Sequence, residues 1–170
     1  MRGYRRVLVP CLTVATLVMT ACGGDEATPR AGGKSPGGTA AKTINVTLKE
    51  WSVLLQTGHY TAPAGSVTFN VLNEGPAHKH EFVLFKTDLA PSALPTKADG
   101  SVNEDASSVQ LIGEIEEFAA GSTQSKTFTL TAGKYVIFCN VVEEQPTADM
   151  GGIKAHYKLG MFYQDPFLIT

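Results

Sequence analysis

Beyond its first 22 residues the 170-residue chain has one cysteine, and nowhere does it have an apolar run long enough to span a bilayer, a surplus of positive charge or an internal repeat. Each shortage excludes something. A spanning helix needs about 20 predominantly apolar residues, whereas residues 7–21 are fewer and are interrupted by Pro10. The 14 Lys and Arg include Arg2, Arg5 and Arg6; once these leave with a cleaved leader, 11 basic side chains face 16 acidic ones, a net charge of about −5. Such a balance argues against nucleic acid and against a polybasic membrane patch. No long amphipathic helical pattern is present, so a helical bundle is excluded as well.

The N-terminus carries an address rather than a fold. Three arginines precede the apolar run, which stops at the small residues Thr20 and Ala21 before Cys22, and this is the form of an export signal over residues 1–21. Met19-Thr20-Ala21-Cys22 resembles the lipobox of bacterial lipoproteins, which implies a diacylglycerol thioether on Cys22. Paired acyl chains hold a soluble domain at a membrane surface where one chain would not. The mature protein is therefore expected to be extracytoplasmic and tethered, on the periplasmic side or outer face of a cell membrane. Residues 22–42, rich in Gly, Ala, Pro and Thr, read as a flexible linker, with a reach of about 25 Å.

Residues 43–170 read as one all-β domain. Short β-branched and aromatic runs separated by turn residues point to a Greek-key β-barrel or sandwich. Strands are expected at 43–49, 66–72, 80–86, 109–115, 125–130, 134–140 and 160–169, with tight turns at Ala62-Pro63-Ala64-Gly65 and Thr131-Ala132-Gly133. Residues 88–108, with Pro91, Pro95 and Asp99-Gly100, read as a long irregular connection with room for a short helical turn. Period two places Tyr135, Ile137 and Cys139 on one face of their strand, and Val136, Phe138 and Asn140 on the other.

Cys11 leaves with the leader and Cys22 is the acylation site, so Cys139 is the single thiol of the exported domain. An unpaired thiol outside the cytoplasm needs a reason, and metal ligation is a good one. His80 lies upstream in NEGPAHKHEF, and His156 and Met161 lie downstream in HYKLGM. Two imidazoles and a thiolate in a plane, with a distant thioether, form the ligand set of blue-copper electron-transfer sites. Soft sulfur favours Cu(I), while imidazole suits both oxidation states.

Three stretches resemble the cupredoxins, in particular bacterial lipoprotein members related to plastocyanin. Asn73-x-Gly75 with His80-Glu81-Phe82 is similar to the first-histidine segment, Gly133 to Asn140 to the G-x-Y-x-x-x-C strand, and His156-Tyr157-x-x-Gly160-Met161 to the H-x-x-x-G-M ending. The resemblance implies one type 1 copper held by His80, Cys139 and His156 with Met161 on the axis. It also implies single-electron exchange with redox protein partners, no enzymatic bond chemistry and a monomer. A copper-sequestering lipoprotein is the alternative reading.

Two departures stand out. Sixteen residues separate Cys139 from His156, a loop that could cover the metal, shape a docking surface or supply another axial donor. Glu81 stands where many cupredoxins have an asparagine bracing the cysteine loop. His78 competes with His80, Met150 with Met161, and Glu143 or Glu144 would make a carboxylate-bearing site. Four histidines are too few for a multicopper oxidase, and no second cysteine exists for a dinuclear centre. His59 reads as exposed, and Phe118, Phe162 and Tyr163 as packing.

Overall fold

The computed structural model describes residues 42–56 and 60–170. The leader, Cys22, the linker up to residue 41 and His59 lie outside the described residues. Among the described residues no helix is long and apolar enough to cross a membrane.

Among the described residues there are nine strands, several of them built on alternation of buried and exposed side chains. They are β1 (Lys42–Lys49), β2 (Ser52–Leu55), β3 (Thr61–Ala62), β4 (Gly65–Gly75), β5 (His80–Lys86), β6 (Gln110–Phe118), β7 (Thr123–Leu130), β8 (Gly133–Phe138) and β9 (Phe167–Ile169). One sheet has the order β2-β1-β4-β7 and the other β3-β9-β8-β5-β6. The β1–β4 and β3–β9 pairs are parallel and the rest antiparallel, so the architecture is the Greek-key sandwich that the sequence leads one to expect.

The core lies between the sheets. Ile44, Val46 and Leu48 of β1 and Val67, Phe69 and Val71 of β4 meet Phe82 and Leu84 of β5, with Tyr135 and Ile137 of β8 and Phe167 of β9 closing the cluster. Phe69 sits at its centre, with ring centroids 4.9 Å from Phe82, 5.9 Å from Phe128 and 5.8 Å from Phe167.

β5 and β8 are buried on both faces. Their outward side chains Val83, Phe85, Val136 and Phe138 form a second cluster with Leu94, Val102 and Tyr157. Residues 88–108 thus act as a cover for the outer face of the second sheet, and their expected helical turn forms at Pro91–Ala93. Tyr157 pins this cover: its hydroxyl donates to the Pro91 carbonyl at 2.8 Å and accepts the Leu94 N–H at 3.1 Å.

The sequence-based strands at 43–49, 66–72, 80–86, 109–115, 125–130 and 134–140 all form, with ends displaced by a few residues. The strand expected over 160–169 does not: only Phe167–Ile169 pairs continuously, against β8. A 3-10 turn at His156–Leu159, left-handed Gly160 at φ +96° and donor-free Pro166 break the run. β2 and β3 are additional short strands. Phe118 and Tyr163 pack in the core as expected, and Phe162 lies against the second cluster.

Asn73 fixes the approach to β5. Fully buried, its Nδ2 donates to the carbonyls of His78 at 3.0 Å and Phe118 at 2.9 Å, while its Oδ1 accepts the Gly75 N–H at 3.0 Å. Gly75 has φ +61°, and a Cβ there would meet Ala120 Cβ at 2.6 Å, so both conformation and space require glycine.

Candidate metal centre

β5 begins with His80 as β8 ends just before Cys139, and the antiparallel pairing of these strands brings the two residues to the same edge. The third partner arrives after the long connection. His156 N–H donates to the Val141 carbonyl at 2.9 Å, Glu143 N–H donates to Lys154 at 3.0 Å, and Val142 bridges Ala155. A ladder at its base therefore closes the 16-residue loop, so its length does not carry His156 away from Cys139. The chain then turns at Gly160, so that Met161 N–H donates to the His156 carbonyl at 3.2 Å and the Met161 carbonyl accepts the Cys139 N–H at 3.0 Å.

Three donor atoms converge. Cys139 Sγ lies 3.4 Å from His156 Nδ1 and 3.9 Å from His80 Nδ1, and the two Nδ1 atoms are 3.2 Å apart. An ion with bonds of about 2.0 Å to nitrogen and 2.3 Å to sulfur, at the centre of such a triangle, needs separations of about 3.5 Å between its donors. The three side chains fit one ion. Together with Met161, all are fully buried. His78 does not join Cys139; its Nδ1 faces Glu143 Oε1 at 3.2 Å and its Nε2 faces Thr147 Oγ1 at 3.3 Å and Asp149 Oδ2 at 3.5 Å. Glu143 also approaches the outer nitrogen of His156, at 3.5 Å, so the inserted loop covers the site. Glu144 is exposed on an open cleft of about 910 Å³, and Met150 is buried in a 3-10 turn at Ala148–Met150.

Sequence reasoning missed two neighbours. Glu50 and Trp51, between β1 and β2, belong to no motif, yet Glu50 Oε1 lies 3.9 Å from His80 Nε2. Trp51 meets the rings of His156 and His78 at centroid distances of 4.9 Å each. Glu50 is anchored by the N–H groups of Ala77 at 3.0 Å and His78 at 2.9 Å. Burial pushes its carboxyl upward, but these donors outweigh it and hold the group below its ordinary value.

Burial dominates the other ionisations. His80 is pushed down to about 4 by burial and by the neighbouring His156; His156 is also pushed down to about 4 by burial, against the opposing pull of Glu143. Both rings are neutral at pH 7. Burial pushes the Cys139 thiol far up, reinforced by the Glu81 carboxylate, although the N–H groups of Glu81 and Val141 pull the other way. Burial that keeps both imidazoles and the thiol uncharged suits donors that meet a soft cation.

Glu81 does brace the cysteine loop. Its Oε1 accepts the Asn140 N–H at 2.7 Å, and its own N–H points at Cys139 Sγ at 3.5 Å. Asn140 extends the brace: its Oδ1 accepts the Val102 N–H at 2.6 Å, and its Nδ2 donates to the Val102 carbonyl at 3.1 Å. Burial, with Glu114 and Glu104 nearby, pushes the Glu81 carboxyl up to about 7 from an ordinary 4.5. Between those pH values the folded chain binds more protons than the unfolded one. Stability from this group is therefore complete below about 4.5 and is lost as pH rises through about 7, by about 3 kcal/mol. Glu81→Gln keeps the acceptor and removes the titration, so the stability difference between wild type and variant should fall with pH across this window in metal-free urea melts. A pH-independent difference would contradict it.

No protein-family model matches the chain, and no curated protein matches it. Solved structures do. Reduced auracyanin from the photosynthetic bacterium Roseiflexus castenholzii aligns with TM-score 0.50 and 22% identity over 77% of this chain and 98% of that one. Auracyanin B aligns with TM-score 0.49 and 20% identity over 79% and 92%, and auracyanin A from Chloroflexus aurantiacus with TM-score 0.48 and 22% identity over 75% and 98%. Two mixed sheets in Greek-key order, with a histidine opening β5 and a cysteine following β8, give this chain the cupredoxin fold.

Proposed function

We propose that the chain binds one type 1 copper ion through His80, Cys139 and His156, with the Met161 thioether as axial donor, and carries single electrons between extracytoplasmic redox partners while tethered through Cys22. The observation that carries this reading is the convergence of His80 Nδ1, His156 Nδ1 and Cys139 Sγ within 3.9 Å of one another in a fully buried pocket. Copper supplies a one-electron couple there. The chain supplies a fixed three-donor geometry that changes little between oxidation states, and apolar walls that disfavour the more highly charged Cu(II) form. Four protein donors leave no open position for a substrate, which supports a carrier rather than an enzyme. The auracyanin of shared fold is known in a dithionite-reduced form, in keeping with a redox role.

One observation favours copper sequestration as the second reading: Glu50, Trp51 and the inserted loop cover the outer edges of both histidines, and both rings are fully buried. Stopped-flow mixing with a small redox protein separates the two. A carrier exchanges electrons within milliseconds, whereas a protein that holds Cu(I) tightly and exchanges over minutes would be a sequestering one.

A further inference from the structure

Among the described residues, three buried side-chain polar atoms have no hydrogen-bond partner: His80 Nε2, His156 Nε2 and Glu50 Oε2. They are not scattered. Each ring turns its Nδ1 toward Cys139 and its Nε2 away from it, and a carboxylate stands on the far side of each ring. Glu143, from the inserted loop, lies 3.5 Å from His156 Nε2, and Glu50, from the β1–β2 turn, lies 3.9 Å from His80 Nε2.

We propose that Glu50 and Glu143 are positioning residues that hold His80 and His156 in the Nε2–H form, each ring presenting a bare Nδ1 to Cys139.

A neutral imidazole carries one N–H, and the group facing its other nitrogen decides where that proton sits. With hydrogen on Nδ1, the Nε2 lone pair would face a carboxylate oxygen at 3.5 Å in His156 and at 3.9 Å in His80. With hydrogen on Nε2, the same gap holds a donor facing an anion. The two Nδ1 atoms stand 3.2 Å apart, where one N–H would bridge them, and it is against that competing bond that the two carboxylates hold both protons on Nε2. Both carboxylates are independently fixed: Glu50 by two backbone N–H groups, and Glu143 by His78 Nδ1 at 3.2 Å and by the Lys154 pairing of its backbone. Carboxylates behind metal-binding imidazoles set the ring's tautomer and raise its basicity. Here they come from segments that share no sequence motif with the donors, and one of them gives the long loop a task.

The inference rests on the copper reading for its purpose but not for its test. Nitrogen-15 NMR of the metal-free protein reads the tautomer of each ring directly. Wild type should show His80 and His156 as Nε2–H. Glu143→Ala should shift His156 toward a mixture and leave His80 unchanged, and Glu50→Ala should do the converse. If Glu50→Ala fails to fold, Glu143→Ala on the loop still decides. Cu(I) affinity, measured by chelator competition, should fall 10- to 100-fold in each alanine variant. Glu143→Gln, which keeps a carbonyl acceptor, should recover part of that loss. Unchanged tautomers in the alanine variants, or Nδ1–H rings in wild type, would overturn the proposal. Correct tautomers in a protein that binds no copper would support the positioning role and reject the copper reading.

Discussion

Cys139→Ser is expected to leave a folded sandwich that has lost its metal chemistry. Serine oxygen is hard and stays protonated at neutral pH, so it offers neither a soft donor nor a low-energy transfer of charge to Cu(II). The intense visible band of a copper–thiolate bond should be absent from the variant, and Cu(I) affinity should drop by more than about 100-fold, beyond the loss from a residue that acts only behind a ligand. The swap also puts a hydroxyl where the imidazoles of His80 and His156 and the Glu81 N–H can pair with it, so the cost to the fold is that of a smaller atom in the cluster around Tyr135, Ile137 and Met161. Circular dichroism therefore has to show an intact β spectrum before the loss is assigned to the metal. A variant that keeps the band would remove Cys139 from the site.

The second large effect concerns the scaffold. Asn73→Ala removes a buried side chain that serves two carbonyls and one N–H. Each orphaned group costs about 1–3 kcal/mol, so a total of about 3–5 kcal/mol is expected, with a fall in Tm of roughly 10–20 °C. The damage should reach the metal site, because the His78 carbonyl is one of the two acceptors and His80 follows two residues later. Weaker copper binding in the surviving folded fraction is the expected companion result. A loss below about 1 kcal/mol would mean that water replaces the amide easily.

Much of this was legible in the chain. Period-two alternation in Ile44-Val46-Leu48 and in Tyr135-Ile137-Cys139 reports which face is inward, because a slip of one residue would turn every large apolar side chain outward. The convergence of His80, Cys139 and His156 was expected for a different reason: the segments that hold them resemble cupredoxin motifs, while counting donors alone left His78 in competition with His80. What remained closed depends on distance along the chain. Glu50 and Trp51 reach the site from the β1–β2 turn, and no local pattern marks a residue that acts on a ring 30 positions away. The role of Glu81 became clear only when its carboxylate met the Asn140 N–H. The run from Gly160 to Ile169 looked like one strand since its composition is aromatic and β-branched, but local geometry at Gly160 and Pro166 overrode that preference. Residues 88–108 carry too few apolar residues to announce a cover, yet Leu94 and Val102 are enough once Tyr157 anchors them.

The inserted loop links scaffold and site. Its base pairs like a hairpin, which returns His156 to the cysteine regardless of what lies between and sets Glu143 beside the ring, while the body of the loop brings Thr147 and Asp149 over His78.

The most direct measurement is a titration of the metal-free wild-type domain with Cu(II), followed by visible absorption. One equivalent should generate a strong thiolate-to-copper band that saturates sharply and bleaches on reduction. Weak ligand-field absorption alone, or a band that needs more than one copper per chain, would contradict a single centre shared by His80, Cys139 and His156.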